Sequence, residues 1–187
     1  GKELVLYPYK ESNDLVISEG TETIWDNAMS KLEVETISLP STLKYVNIYV
    51  EDAETMYQKV EEYLSDVLPG SQMLRDVYVS GDNENIVSVD GIVYSKDMKR
   101  LVFCPRGKSG EITVDERTEI IGHEAFSESR VTKITLPEDL TSIEYSAFSN
   151  CTNLTELNIP KGVTEFNKEK RISAAKDGMA FGGSRLE

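Results

Sequence analysis

The stretches "LVISEGTETIWDNAMS" (Leu15–Ser30) and "ITVDERTEIIGHEAFS" (Ile112–Ser127) decide how this chain folds. Leu15 and Ile112 lie 97 positions apart, and at that offset Leu4–Val46 aligns with Leu101–Ile143 without a gap. Identical pairs include Leu4/Leu101, Pro8/Pro105, Glu19/Glu116, Thr21/Thr118, Ala28/Ala125, Ile37/Ile134, Leu39/Leu136 and Pro40/Pro137. Internal repetition of this extent sets the architecture, so it takes precedence over any local pattern.

A shorter unit lies inside the long one. An apolar-x-apolar core recurs at Leu15, Ile37, Val77, Ile112, Ile134 and Leu157. Seven residues after the second apolar position comes another apolar residue, in turn Ile24, Val46, Ile86, Ile121, Ile143 and Phe166. Three units add an Ala-Met or Ala-Phe pair, at Ala28, Ala125 and Ala147, and a late pair stands at Ala180. Measured along Ile17, Leu39, Val79, Val114, Leu136 and Ile159, the spacings are 22, 40, 35, 22 and 23 residues. Alternating apolar positions predict a short strand with one buried face, and Pro directly after it stops the strand. A strand every 22 to 23 residues, too small a unit to bury its own apolar face, predicts a stacked solenoid.

Composition narrows the function. The 187 residues carry a net charge of −13, from 33 acids against 20 bases. Nucleic acid and anionic membranes are therefore not expected partners, since both are recognised by clustered Lys and Arg. No apolar run approaches the roughly 18–20 residues of a membrane span, so no membrane insertion is expected. Two cysteines, Cys104 and Cys151, make no disulfide framework. With His123 they give three Cys/His side chains, one short of a closed zinc site unless a carboxylate joins.

The segment "VTKITLPEDLTSIEYSAFSNCTNLTELNIPKGVTEF" (Val131–Phe166) carries a linked pattern: apolar-x-x-apolar-x-apolar-Pro, then an apolar anchor, then Ala-Phe, Cys and Leu. In this it resembles the BspA-like leucine-rich repeats of bacterial surface proteins, and the resemblance runs over nearly the whole chain. It implies an α/β fold: a right-handed leucine-rich-repeat solenoid of short parallel strands with 22–23-residue repeats. It also implies a secreted or cell-surface location.

Two units are expanded. "SVDGIVYSKDMKRLVFCPRGK" resembles a hairpin insertion that recurs in that family and places a hairpin over 87–105, with a tight bend at Asp90-Gly91. The other, "YVEDAETMYQKVEEYLSDVLPG", predicts an inserted helix over 52–68. Asp52 would cap it, Met56, Val60, Leu64 and Val67 would share one face, and Pro69-Gly70 would end it. The reading is thus one domain over 1–187 with about six repeat strands. Both ends fall within repeat units, so the chain is expected to be a segment of a longer repeat protein.

The chemistry-bearing residues read as parts of the repeat. Cys151 occupies a small, inward-facing turn position and is expected to be a buried structural thiol. Cys104 aligns with Tyr7, which is not the behaviour of a nucleophile. His123 aligns with Asp26 and with Tyr145 of the next unit, which predicts an exposed, unconstrained turn. From Asp82, "SGDNENIVSVD" lacks the Gly at position six and the Glu at position twelve of a calcium loop. No catalytic residue, metal or cofactor is expected, and the chain is read as non-enzymatic.

Function is instead expected on the strand face. Leu154, Leu157 and Ile159 should point inward, while the residues between the apolar pairs point out. The centre row is Val16, Ser38, Tyr78, Thr113, Thr135 and Asn158, and the row beside it is Asp14, Thr36, Asp76, Glu111, Lys133 and Glu156. The expected partner-binding set is Asp76, Tyr78, Glu111, Thr113, Lys133, Thr135, Glu156 and Asn158. Tyr78, close to Arg75, is the expected anchor, because aromatics and Arg dominate binding hot spots. A protein or glycan on a host or bacterial surface suits such a face, in adhesion or protein–protein interaction. The competing readings are a structural spacer and an accessory binding domain of a larger surface protein.

Overall fold

The computed structural model describes residues 1–5, 12–26, 28–29, 32–48, 56–68 and 70–166. Its first half contains β1 (Glu3–Leu4), β2 (Asp14–Val16), β3 (Thr23–Trp25), β4 (Thr36–Leu39), β5 (Tyr45–Ile48), β6 (Met56–Lys59), α1 (Val60–Tyr63), a 3-10 turn (Leu64–Asp66) and β7 (Asp76–Val79). The second half contains β8 (Ile86–Val89), β9 (Ile92–Ser95), β10 (Arg100–Phe103), β11 (Ser109–Thr113), β12 (Ile120–Ile121), β13 (Arg130–Thr135), β14 (Ser142–Ile143), β15 (Glu156–Leu157) and β16 (Glu165–Phe166).

Each repeat contributes two strands, one to each face of a solenoid of about seven turns. The front strands β2, β4 and β7 pair in parallel, and so do β11, β13 and β15. Behind them β1, β3 and β5 form one parallel run and β10, β12, β14 and β16 another. Ile24, Val46, Ile121 and Ile143, read in the sequence as apolar anchors of the turn, sit on these back strands and are fully buried. The Ala-Phe pairs seal the side: Ala125, Phe126, Ala147 and Phe148 have no exposed surface, and Ala28 and Met29 fill the same place in the first half. At about 1.5–3 kcal/mol for each large apolar side chain, this stacked interior is what the isolated unit lacks.

The inserted hairpin is a wall with two faces. β9 pairs antiparallel with both β8 and β10, and β10 joins the back row through β12. Val93, Val102 and Phe103 pack into the core of the first half, whereas Ile92, Tyr94 and Leu101 pack into that of the second. With both faces covered, Ile92–Ser95 is buried at every position. At its tip Asp90 has φ 49° and Gly91 φ 74°, the positive pair that a tight two-residue hairpin turn requires. The Val77 amide donates to the Gly91 carbonyl, so the tip lies against β7 and the front strands form two separate sheets.

The helix expected over 52–68 is corrected by the structure. Met56–Lys59 is a strand, antiparallel to β5, and the helix is confined to Val60–Tyr63. The exposed edge of β5 offered backbone hydrogen bonds that outweighed helical periodicity. Val60, Leu64 and Val67 are buried as the spacing implied. Asp52 and Pro69, like the late Ala180-Phe181 pair, lie outside the described residues.

A second correction concerns β15, the last front strand described. Leu157 is only half-buried and Ile159 is 40% exposed, since no described strand stacks beyond them; Leu154 is fully buried.

Candidate functional site

Alternation along each front strand turns one set of side chains in and the other out. Parallel pairing then aligns the outward set into rows: Asp14, Thr36 and Asp76 in register, and Val16, Ser38 and Tyr78 beside them. In the second sheet Glu111, Lys133 and Glu156 are in register, as are Thr113 and Thr135, and Asn158 follows on the exposed side. The eight residues named from sequence therefore divide between two sheets: Asp76 and Tyr78 on the first, the other six on the second. Tyr78 is 52% exposed and Val16 64%. Lys133 bonds Glu156 at 2.9 Å, and its ammonium is pushed up by that hydrogen bond and then by the charges of Glu156 and Glu111.

A cleft of about 600 Å³ opens where the front sheet is interrupted. Met73, Arg75, Lys108 and Arg130 line it, opposite Glu35 and Asp76. Lys108 spans the gap, donating to Asp76 Oδ1 at 2.7 Å and to the Asp90 carbonyl. Arg130 Nε donates to Gln72 Oε1 at 2.8 Å, and Gln72 in turn donates to the Glu128 carbonyl at 2.9 Å. Three cationic side chains thus gather on an otherwise acidic molecule. Arg75 stood beside the expected anchor in the sequence, but its grouping with Lys108 and Arg130 depends on how the hairpin tip and β13 come together.

His123 departs from expectation. It is 8% exposed, and its Nε2 lies 3.0 Å from Asp66 Oδ1 and 3.4 Å from Ser65 Oγ. Ser65 also donates to the His123 carbonyl at 3.2 Å, and the Tyr63 ring meets the imidazole edge-on at 5.5 Å. Below it the His123 amide donates to Glu144 Oε2, a carboxylate held by both terminal nitrogens of Arg100 at 2.7 and 2.9 Å. The matching Asp26 and Tyr145 are only half-buried. The inserted segment from Tyr63 to Asp66 packs over His123, a contact the repeat alignment had no means to reveal.

Both cysteines are buried, unpaired thiols. Burial pushes each thiol up from its ordinary range, so neither is an activated nucleophile. Cys151 donates to the Phe126 carbonyl at 3.0 Å, tying one turn of the solenoid to the next. Among the described residues no helix is long and apolar enough to cross a membrane.

The family model of the BspA type leucine rich repeat region (6 copies) matches residues 96–170. Three solved structures share the fold. A leucine-rich repeat protein from Eubacterium ventriosum ATCC 27560 is 23% identical with a TM-score of 0.64, over 81% of this chain and 37% of that one. A leucine rich cell surface protein from Faecalibacterium prausnitzii A2-165 is 15% identical with a TM-score of 0.61, over 82% and 43%. The pneumococcal vaccine antigen PcpA is 19% identical with a TM-score of 0.51, over 87% and 57%. The chain thus spans less than two thirds of each of these proteins. No curated protein sequence matches it. The repeat unit, its stacked Ala-Phe pairs and these likenesses agree on a leucine-rich-repeat fold, whose residues 96–170 match the BspA type repeat region.

Proposed function

We propose that the chain is a non-enzymatic protein-binding module of a secreted or cell-surface protein, and that partners dock on the front strand face, with adhesion as the biological role. The observation that carries this is the outward-facing register of Asp76 and Tyr78 on one sheet and of Glu111, Thr113, Lys133, Thr135 and Glu156 on the other, with Asn158 exposed beyond them and an open cleft lined by Asp76. An extended surface of this kind matches the area of a protein partner better than that of a small substrate. Tyr78 supplies the rigid aromatic contact that interface energetics favour. The surface location is supported by the BspA-type repeat and by the neighbour described as a cell surface protein.

The test is capture from extracellular-matrix and cell-surface extracts with the wild-type chain as bait. The comparison is a variant carrying Ala at Tyr78, Glu111, Lys133, Glu156 and Asn158, which leaves the Asp76–Lys108 pair intact. A partner held by the wild type and lost by the variant, with identical circular dichroism, supports the reading. Equal capture by both, or capture of nothing, sinks it in favour of a spacer or of another surface.

A further inference from the structure

We propose that Asp66, His123 and Glu124 form a binding site for one divalent transition-metal ion of the zinc class, which pins the inserted segment to the repeat stack. One ligand atom from each residue lies within 4.8 Å of the others, near enough for small side-chain shifts to bring all three onto one ion with bonds of about 2.0–2.2 Å. Two of the three come from the turn at 123–124 and the third from the 3-10 turn at Leu64–Asp66, so an ion here would cross-link elements 57 residues apart.

The site is shielded rather than a surface acid cluster. The His123 side chain is 10% exposed and that of Asp66 19%. Asp66 and Glu124 set two carboxylates beside the imidazole, a mixed oxygen and nitrogen donor set. Arg100, which adjoins this network, is bound at both terminal nitrogens by Glu144. Tyr63 registers the same surroundings. Its phenol is pushed up first by burial, then by the charges of Glu62, Asp66 and Glu144, against an opposing effect of Arg100.

Ligand chemistry selects the ion. Calcium and magnesium take oxygen ligands, whereas an imidazole nitrogen with two carboxylates suits zinc. To ligate, His123 would keep its proton on Nδ1 and turn an Nε2 lone pair to the ion in place of the hydrogen bond it now makes with Asp66 Oδ1. Ser65 Oγ, 3.4 Å from that nitrogen, or a water would complete four ligands. The sequence inventory stopped at Cys104, Cys151 and His123; the fold sets carboxylates rather than the thiols beside the imidazole. The site is independent of partner binding at the strand face.

The experiment is calorimetric titration of the chelator-treated chain with zinc chloride, paired with thermal melts. One equivalent should bind, the melting midpoint should rise with zinc concentration, and substituted cobalt(II) should show visible d–d bands. Asp66→Asn keeps an oxygen acceptor for His123 and should fold normally, while weakening zinc at least about tenfold. Glu124→Gln should do the same and decides the matter if Asp66→Asn proves unstable. No saturable zinc binding by the folded wild type overturns the site. Equal binding by wild type and variants puts the ion elsewhere and overturns it too. Tighter binding of calcium than of zinc overturns the assignment of the ion.

Discussion

The rings of Phe126 and Phe148 lie stacked, centroids 5.4 Å apart and planes 13° from parallel, one 22-residue turn of the solenoid from each other. Both are entirely buried. Phe148→Ala removes one ring and leaves a cavity that neighbours on two turns must share. The expected loss is about 3–5 kcal/mol, read from the urea midpoint. Leu154→Ala, at another fully buried position, should cost about 2–5 kcal/mol, whereas half-buried Leu157→Ala should cost clearly less. Equal losses for the two leucines would contradict the burial described for β15.

Asn83 has no exposed surface, and its amide is fully used. Nδ2 donates to the carbonyls of Pro40 and Leu43 at 3.0 Å each, and Oδ1 accepts from the amides of Asn85 and Ile86 at 2.9 and 3.0 Å. Asn83→Ala removes four hydrogen bonds at a buried position and should cost about 2–4 kcal/mol in chemical denaturation. Asn83→Asp, nearly isosteric, keeps the acceptors but loses both donors and sets a carboxylate against two carbonyls. It should be at least as damaging, and a mild effect would mean water reaches the site.

Stability should fall on the alkaline side. Burial pushes the Tyr94 phenol from 10.0 up to about 12 and raises the Cys104 thiol above 9.0. For groups raised in the folded state, the stabilising contribution is complete below the unfolded pKa and lost as pH climbs through the folded one. The melting midpoint is therefore expected to hold to about pH 9 and to drop between pH 9 and 12. Tyr94→Phe should flatten the part above pH 10, and an unchanged slope would exclude Tyr94 as its source.

The hairpin tip permits no side chain. A Cβ at Gly91 would come within 2.0 Å of Asp76 Oδ1 and 2.9 Å of its Cα, at a backbone φ of 74° that disfavours any L-residue. Gly91→Ala should destabilise by roughly 2–4 kcal/mol through strain and displacement of the Asp76–Lys108 pair. Thermal melting alongside Asp90→Asn, which tolerates positive φ and should melt near the wild type, isolates the effect.

Much of this architecture was legible in the repeat, because a period of 22–23 residues leaves few ways to bury its apolar positions. The front strands and the buried Cys151 follow from it, while the bend at Asp90-Gly91 was legible in its own dipeptide. What escaped was the environment that an insertion creates for a single copy. Met56–Lys59 answered to the open edge of β5 rather than to its own spacing. His123 looked exposed because Asp26 and Tyr145 are its counterparts, yet its own turn lies under Tyr63–Asp66. Asn83 resembled a loop residue because the carbonyls it binds are 40 and 43 residues away. The outward rows follow from alternation along each front strand, but their division between two sheets depends on where the hairpin tip lands.

The hairpin that divides the interior has a bearing on how the molecule comes apart. Two apolar compartments share one partition, since β9 and β10 lend alternate side chains to each. In a stack whose turns otherwise touch only their neighbours, cooperativity must pass through that partition. Hydrogen exchange should resolve two blocks of amides, one from β2–β7 and one from β11–β15, with β9 and β10 the slowest to open because releasing them dismantles both. The insertion, which looks in the sequence like an interruption of the repeat, is the keystone on which the two halves jointly depend.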